Sequence, residues 1–327
     1  MKSMRWLVGA AILCGCVCMQ AETADKPDAA LQAKLAAIVA AHHGKVALYA
    51  VDLKTQQTVA TGADDEVQTA SVIKLAILYE AMGQVRAGKA HWDEKITMPA
   101  GYAVGGSGVL TFFDGPLPLT LKDVLTMMII VSDNTATDLA IDRFGVDAVN
   151  ARIALLGLKH THLYKRIGKP AIGTMPADQP KFGLGKTTPR EMAAVMEHIG
   201  RCELGEPEQA GDTAICAVAM KMLRNQFYRD TIPRYLEKLD SSETGSGVAS
   251  KTGSLDAVRA DVAIVAGKSG PIVISIFTYD NADHGWTADN EAELTIARLG
   301  RAIVETWSPE GIDGKTLVPG LGLAVTK

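Results

Sequence analysis

Residues 121–134, LKDVLTMMIIVSDN, join a strongly apolar segment to a short polar turn. Residues 121–131 are predicted to form a helix with apolar side chains nearly all round, and such a helix belongs in a protein core. Ser132-Asp133-Asn134 follows directly after it. The predicted core helix is therefore followed by three polar side chains, and its packing in the core would fix their position in the fold.

Strands are predicted towards both ends of the chain, and helices fill the middle. Period-two patterns and turn residues indicate strands at 45–53, 57–61, 248–252, 259–266 and 271–279. Helical spacing is found at 28–41, 71–85, 135–144, 147–156, 189–202, 212–223 and 291–307. The simplest assembly pairs the two terminal strand blocks in one antiparallel sheet flanked by helices, with a helical insertion between them.

The predicted fold class is therefore α/β plus all-α. We expect an α/β domain made of residues 25–66 and 225–327, and a helical domain of residues 67–224. Binding clefts commonly form where two such units meet.

Composition and charge narrow the functional classes. The chain has 327 residues, of which 47% are hydrophobic and 21% charged, an ordinary globular mix that argues against a disordered, collagenous or coiled-coil protein. Its formal net charge is −4, without a Lys/Arg block that could neutralise a run of phosphates, and aromatic residues make up only 5%. Both features argue against a nucleic-acid partner.

The first 24 residues have the pattern of a secretory signal peptide. Lys2 and Arg5 precede an apolar run at 6–19, and the small residues Ala21 and Ala24 follow. A run of about 14 residues is short for a membrane span. We therefore expect export, to the periplasm or the medium.

The five cysteines raise two further questions. Residues 13–16, LCGC, loosely match a lipoprotein cleavage box, so a lipid anchor on Cys16 is an alternative to a free mature protein. Cys202 and Cys216 lie outside the leader, and export would permit a disulfide between them. Two separate buried thiols are the alternative, because sequence gives no distance between the Cα atoms.

Ser71-Val72-Ile73-Lys74 is predicted to open a helix. A spacing of three places Ser71 and Lys74 on one helix face. The unpaired N–H groups and positive dipole at a helix start suit a nucleophilic serine whose acyl oxygen becomes an anion. Taken alone the pattern is weak, since a capping serine followed by a surface lysine has the same sequence.

Two further motifs make the S-x-x-K pattern specific. Ser132-Asp133-Asn134 and Lys251-Thr252-Gly253 follow it in the order S-x-x-K, S-D-N and K-T-G, which is found in penicillin-recognising serine enzymes. On these motifs the chain resembles class A β-lactamases and the related penicillin-binding peptidases, over about residues 28–307. The resemblance implies the fold of those enzymes, and it implies neither a cofactor nor a metal.

The resemblance also implies catalytic roles. Ser71 would be the acylated nucleophile and Lys74 its base, provided that burial and the like charge of Lys251 lower the pKa of Lys74. Ser132 would relay the proton to the leaving nitrogen.

Further residues would bind the substrate. Asn134 would hold the amide side chain, and Lys251 with Thr252 would bind the carboxylate. The N–H groups of Ser71 and Ser254 would form the oxyanion hole, beside Gly253, which lets the substrate approach closely. Arg259 is expected to assist with the carboxylate.

One departure from the family pattern concerns deacylation. Class A β-lactamases carry a glutamate that activates water on a loop equivalent to residues 158–187. No Glu occurs here between Glu94 and Glu191, and Asp178 is the one carboxylate within residues 158–187. Loss of a positioned base commonly costs roughly 10²–10⁴ in rate. The chain is thus expected to be a divergent member with a long-lived β-lactam acyl-enzyme.

Three functions remain open from the sequence. The first is an exported serine hydrolase that opens β-lactams slowly, and the second is a D-alanyl-D-alanine carboxypeptidase acting on peptidoglycan stem peptides. The third, from another class, is a non-catalytic binder of β-lactams or cell wall. We expect a monomer, and no metal site, since His160-Thr161-His162 has no third ligand at a suitable spacing.

Overall fold

The structure, a computed structural model, describes residues 26–170, 175–243 and 245–317. The predicted signal peptide and Cys16 lie outside these residues. No helix in the described part is long and apolar enough to cross a membrane.

The main sheet has six strands in the order β1-β3-β2-β11-β10-β9. Neighbouring strands are antiparallel except β1, which pairs in parallel with β3 over two residues. The two terminal strand blocks therefore share one sheet, as predicted. Its strands are β1 (Lys26–Pro27), β2 (Lys45–Asp52), β3 (Gln57–Thr61), β9 (Val248–Leu255), β10 (Val258–Gly267) and β11 (Gly270–Tyr279).

Two smaller sheets lie in the chain between β3 and β9. One joins β4 (Val67–Gln68), β7 (His162–Leu163) and β8 (Gly185–Thr187), and the other pairs β5 (Lys95–Met98) with β6 (Leu117–Thr120). The helices are α1 (Ala29–Ala40), α2 (Lys74–Arg86), α3 (Leu121–Ile130), α4 (Asn134–Phe144), α5 (Val146–Leu155), α6 (Gln179–Phe182), α7 (Pro189–Arg201), α8 (Asp212–Arg224) and α9 (Glu291–Trp307).

Helices cover both faces of the main sheet. Helices α1 and α9 pack together and against the sheet, while α7 packs on β2, β10 and β11, and α8 on β9. Every residue of β10 is buried as a result. The predicted start of α7 is confirmed: the Thr188 side chain accepts a hydrogen bond from the Glu191 N–H, and Pro189 is the first helical residue.

The start of α2 differs from the prediction. Ser71 lies in a 3₁₀ turn, Ala70–Ile73, and the α-helix begins at Lys74. Ala70 has φ 43°, in the left-handed region, so regular helix cannot extend back past Ser71.

Cys202 and Cys216 form a disulfide, which joins the end of α7 to α8 across a Cα–Cα distance of 5.7 Å. The question that the sequence left open is thus answered by the approach of these two helices. Strand β9, which carries the K-T-G motif, is the edge strand of the main sheet, and the Ser71 turn packs against it.

Candidate active site

Thr69, directly before the Ser71 turn, is held by one carbonyl of β8. The Thr69 N–H donates to the Gly185 carbonyl at 3.0 Å, and the Thr69 hydroxyl donates to the same oxygen at 3.1 Å. Ser132, across the cleft, also has a left-handed backbone, with φ 54°. Non-glycine residues in this region cost of order 1–3 kcal/mol each and cluster at functional sites.

Lys74 is completely buried and bound to the S-D-N turn. Its Nζ donates to the Ser132 carbonyl at 2.7 Å, to Ser132 Oγ at 3.1 Å and to Asn134 Oδ1 at 3.1 Å. Burial, and then the positive charge of Lys251, hold the pKa of Lys74 well below its usual range. The three donations are those of the ammonium form; after loss of one proton, which the lowered pKa favours, the amine keeps two N–H donors and its lone pair is a base one helical turn from Ser71.

Lys251 approaches the same hydroxyl from the opposite side. Its Nζ donates to Ser132 Oγ at 3.0 Å and to the Thr252 carbonyl at 2.7 Å. Burial lowers the pKa of Lys251 to about 7. The Ser132 hydroxyl thus bridges two buried amines, an arrangement that can pass a proton from one side of the cleft to the other.

Gly253 sets the width of the cleft between β9 and the Ser71 turn. A Cβ atom at this position would lie 2.9 Å from the Thr69 carbonyl oxygen and 3.1 Å from the Ser71 backbone nitrogen. Such contacts are too close for a side chain, so glycine permits the strand to approach the nucleophile. Thr252 is buried beside it and Ser254 is half-buried, at the mouth of the cleft.

Asp133, the middle residue of the S-D-N motif, organises the turn. Its Oδ1 accepts from the Ala136 N–H at 2.9 Å, capping α4. Its Oδ2 accepts from the N–H groups of Val109 and Leu110 at 2.7 and 2.8 Å. One carboxylate thereby ties Ser132 to the neighbouring loop.

Asn134 contacts the same loop. Its Nδ2 donates to the Gly105 carbonyl at 3.0 Å, and its backbone N–H donates to the Ser107 carbonyl at 3.0 Å. The amide oxygen of Asn134 faces Lys74, so this side chain connects the cleft wall to the predicted base.

The structure places Arg259 opposite Ser254 in the register of β9 and β10, with its guanidinium packed against α9. Its guanidinium is completely buried, donates to Glu293 Oε1 at 3.2 Å and to the Gly285 carbonyl at 2.6 Å, and lies 4.5 Å from the Trp286 ring centre. It also donates to the carbonyls of Leu255 and Val258, at the turn between β9 and β10. The structure therefore gives Arg259 a part in packing that loop and the β9–β10 turn, and the expected contact with a substrate carboxylate stays a prediction.

In its described part, the loop after β7 brings no carboxylate to Lys74 or Lys251. Asp178 accepts from Lys186 Nζ at 2.8 Å and from the Tyr164 hydroxyl at 3.1 Å. The hydrogen bond from Lys186 holds the pKa of Asp178 below its usual range. A carboxylate paired in this way is a weak base.

Asp138 lies closer to the cleft and was missed in the sequence. Its Oδ1 accepts from the Ile167 N–H at 2.7 Å, and its Oδ2 accepts from the Gly168 N–H at 2.9 Å. It follows Asn134 by one helical turn on α4, and such i,i+4 neighbours share a helix face. That spacing was the available signal.

Across residues 26–170, 175–243 and 245–317, no three His, Cys, Asp or Glu side chains cluster as metal ligands. His160 Nδ1 lies 3.0 Å from Glu66 Oε1, in a surface contact that also includes Lys186.

Comparison with known proteins gives a consistent set of relatives. The model of the β-lactamase enzyme family matches residues 30–307. A β-lactamase from Sphaerobacter thermophilus DSM 20745 is 29% identical, with a TM-score of 0.71 over 85% of this chain and 97% of the other.

Two further solved structures share the fold. A PBP-A variant in a penicillin-G acyl-enzyme complex has a TM-score of 0.73 at 22% identity, covering 87% of this chain and 98% of that one. An ancestral (GNCA) class A β-lactamase has a TM-score of 0.70 at 22% identity, covering 84% and 99%. Comparison with curated protein sequences found no match.

Proposed function

Because the chain belongs to the β-lactamase enzyme family, as a serine hydrolase acting on β-lactams, we propose that it is an exported enzyme that acylates rapidly and deacylates slowly. The observation that carries the proposal is the Ser132 hydroxyl, held between Lys74 and Lys251, with no carboxylate from the described loop beside them.

Acylation would use the residues of the three motifs. Lys74 takes the proton of Ser71 Oγ as that oxygen attacks the lactam carbonyl carbon. The N–H groups of Ser71 and Ser254 stabilise the oxyanion. As the C–N bond breaks, the Ser132 hydroxyl gives its proton to the leaving nitrogen and recovers one from Lys74.

Substrate binding follows from the same residues. Lys251, as a cation, and the Thr252 hydroxyl bind the carboxylate that β-lactams and stem peptides share. Asn134 holds the acyl amide. Gly253 leaves room for the substrate between β9 and the Ser71 turn.

Deacylation needs a base directed at a water on the ester, and Asp178 is engaged elsewhere. The acyl-enzyme is therefore long-lived. Turnover is expected well below the roughly 10–10³ s⁻¹ of efficient enzymes.

Export is the second part of the proposal. It is supported by the basic start, apolar run and small-residue exit of residues 1–24, and by the Cys202–Cys216 disulfide, which suits an oxidising compartment. Intact mass of protein recovered from cells distinguishes a soluble mature form from one lipidated at Cys16. Retention of all 24 residues on the recovered protein would contradict export.

The test of the nucleophile is labelling with a fluorescent penicillin. The wild type should label to about one equivalent, and Ser71→Ala should abolish labelling. Ser269→Ala is a matched control, because this serine lies in the turn between β10 and β11, at the far end of the sheet from Ser254. Undiminished labelling of the Ser71 variant would reject the assignment.

A D-alanyl-D-alanine carboxypeptidase is the second candidate. It is favoured because Asp178 is bound by Tyr164 and Lys186, so that a long-lived β-lactam acyl-enzyme is expected. Release of D-alanine from a stem-peptide analogue, faster than steady hydrolysis of a chromogenic cephalosporin, would favour the peptidase. Single-equivalent labelling without turnover of either substrate would indicate a non-catalytic binder.

A further inference from the structure

The end of helix α3 determines where Ser132 lies, and a separate segment of the chain holds that end. Helix α3 stops at Ile130, and Ser132 follows two residues later with φ 54°. The last four carbonyl groups of a helix have no partner inside the helix. A buried carbonyl without a partner is costly, so these groups must be paired elsewhere. Their partners therefore help to fix the point at which the chain leaves α3 and turns into Ser132.

A segment directly after α8 supplies two of those partners. Gln226 is buried, and its Nε2 atom donates to the Ile129 carbonyl at 3.0 Å. The N–H of Phe227 donates to the next carbonyl, that of Ile130, at 2.9 Å. We call residues 226–228 the capping segment, because consecutive residues in it pair with consecutive carbonyls at the end of α3.

The third residue of the capping segment reaches the carbonyl next to Ser132. The Tyr228 hydroxyl donates to the Val131 carbonyl at 3.4 Å and lies 3.3 Å from Ser107 Oγ. Ser107 Oγ itself donates to the Val131 carbonyl at 3.1 Å. Since this carbonyl belongs to the peptide bond between Val131 and Ser132, both contacts hold the backbone directly before the Ser132 hydroxyl.

The Gln226 side chain also holds the capping segment in shape. Its Oε1 atom accepts from the Tyr228 N–H at 3.1 Å, while its Nε2 atom donates to α3. Gln226 is 3% exposed, whereas Phe227 is 72% exposed and Tyr228 is 39% exposed. The buried amide of Gln226 is therefore the central attachment between the capping segment and α3.

The hydroxyl carried by this backbone has to meet two lysines at once. Ser132 Oγ lies 3.1 Å from Lys74 Nζ and 3.0 Å from Lys251 Nζ, and the Ser132 carbonyl also accepts from Lys74. These distances depend on the position of the Ser132 backbone. A displacement of a reacting group by about 1 Å can lower a rate by about 10²-fold.

We infer that Gln226 is a positioning residue whose side-chain amide fixes the end of α3 and thereby directs the Ser132 hydroxyl at the leaving nitrogen. This inference rests on the proposed function, in which Ser132 gives its proton to that nitrogen as the C–N bond breaks and recovers one from Lys74. Loss of the Gln226 amide therefore impairs proton donation, and the effect is largest for substrates whose leaving group needs the proton.

The experiment compares two substrates that share a phenylacetamido group and a carboxylate but differ in the leaving atom. In benzylpenicillin the C–N bond breaks, and the nitrogen must take up a proton as it leaves. In the thioester of phenylacetylglycine with mercaptoacetic acid the C–S bond breaks, and sulfur leaves with the electron pair as a thiolate. Acylation is followed by intact mass for benzylpenicillin and by thiol release for the thioester.

Gln226→Met nearly keeps the size of the side chain and removes both of its hydrogen bonds. This variant should slow acylation by benzylpenicillin about tenfold or more, and acylation by the thioester by less than about threefold. Asn225→Ala is the matched control, because this neighbouring amide donates to the Lys221 carbonyl of α8. The control should leave the ratio of the two acylation rates unchanged.

Two further variants keep the test decisive. If Gln226→Met does not fold, Tyr228→Phe removes one hydroxyl from the capping segment and should change the ratio in the same direction, by about threefold. Ser132→Ala removes the proton donor itself, so adding Gln226→Met to it should produce no further change in the ratio.

Equal slowing of both substrates by Gln226→Met, or slowing of neither, would overturn the inference, and Tyr228→Phe is judged in the same way if it is the variant that folds. A further change of the ratio in the Ser132→Ala background would also overturn it. Failure of benzylpenicillin to acylate wild-type Ser71 would instead reject the proposed function, so the two failures are distinguishable.

Discussion

Replacing Ile167 by glutamate should shorten the life of the β-lactam acyl-enzyme. The Ile167–Gly168 segment is tied through two backbone N–H groups to Asp138, one helical turn from Asn134, whose Oδ1 lies 3.1 Å from Lys74 Nζ. A carboxylate on this residue would be carried by a fixed backbone at the edge of the cleft. A positioned general base is worth roughly 10²–10⁴ in rate, or about 3–5 kcal/mol of barrier.

The assay follows the acyl-enzyme by intact-mass spectrometry after a brief exposure to benzylpenicillin. Ile167→Glu should lose the adduct about a hundredfold faster or more, with the acylation rate nearly unchanged. Arg166→Glu is the matched control: the same residue is introduced one position earlier, where the side chain points to Asp142. Equal adduct lifetimes in wild type and Ile167→Glu, or equal acceleration in both variants, would refute this account of the loop.

Three other outcomes are expected. Lys251→Ala should slow acylation of Ser71 at least tenfold, a loss of about 1.4 kcal/mol of transition-state stabilisation. In the wild type, the acylation rate should decline as pH rises through about 7, where Lys251 loses its proton. A flat alkaline profile would contradict this. Reduction of the Cys202–Cys216 bridge, which closes a loop with a sequence separation of 14, should cost about 3 kcal/mol of unfolding free energy, measured in denaturant with a Cys202→Ala/Cys216→Ala variant for comparison. Asp178→Asn should leave the adduct lifetime unchanged, because that carboxylate is paired with a lysine; a longer lifetime would identify it as the base after all.

The main sheet and the long helices could be predicted because their signals are local. Apolar periodicity places α3, α9 and the strands of the C-terminal block, and the three motifs place Ser71, Ser132 and Lys251. What the sequence could not supply were relations across the chain. The engagement of Arg259 by Glu293 depends on how α9 packs on β10, and the disulfide depends on the approach of α7 and α8.

The backbone at the nucleophile was misjudged for a different reason. Helical spacing from Ser71 onwards indicates one continuous helix, yet Ala70 adopts a positive φ and Ser71 lies in a 3₁₀ turn. Propensity does not report such strain, because the surrounding contacts impose it. Asp138 escaped notice because it belongs to no recognised motif.

The edge position of β9 has a consequence for solubility. The last strand of a sheet presents unpaired backbone groups that can recruit strands from other molecules and begin aggregation. Here the Ser71 turn packs along that edge, with Gly253 allowing the close approach. A substitution that loosens the turn would therefore expose this edge strand and displace the nucleophile at the same time. Variants of this kind are expected to lose activity and to aggregate.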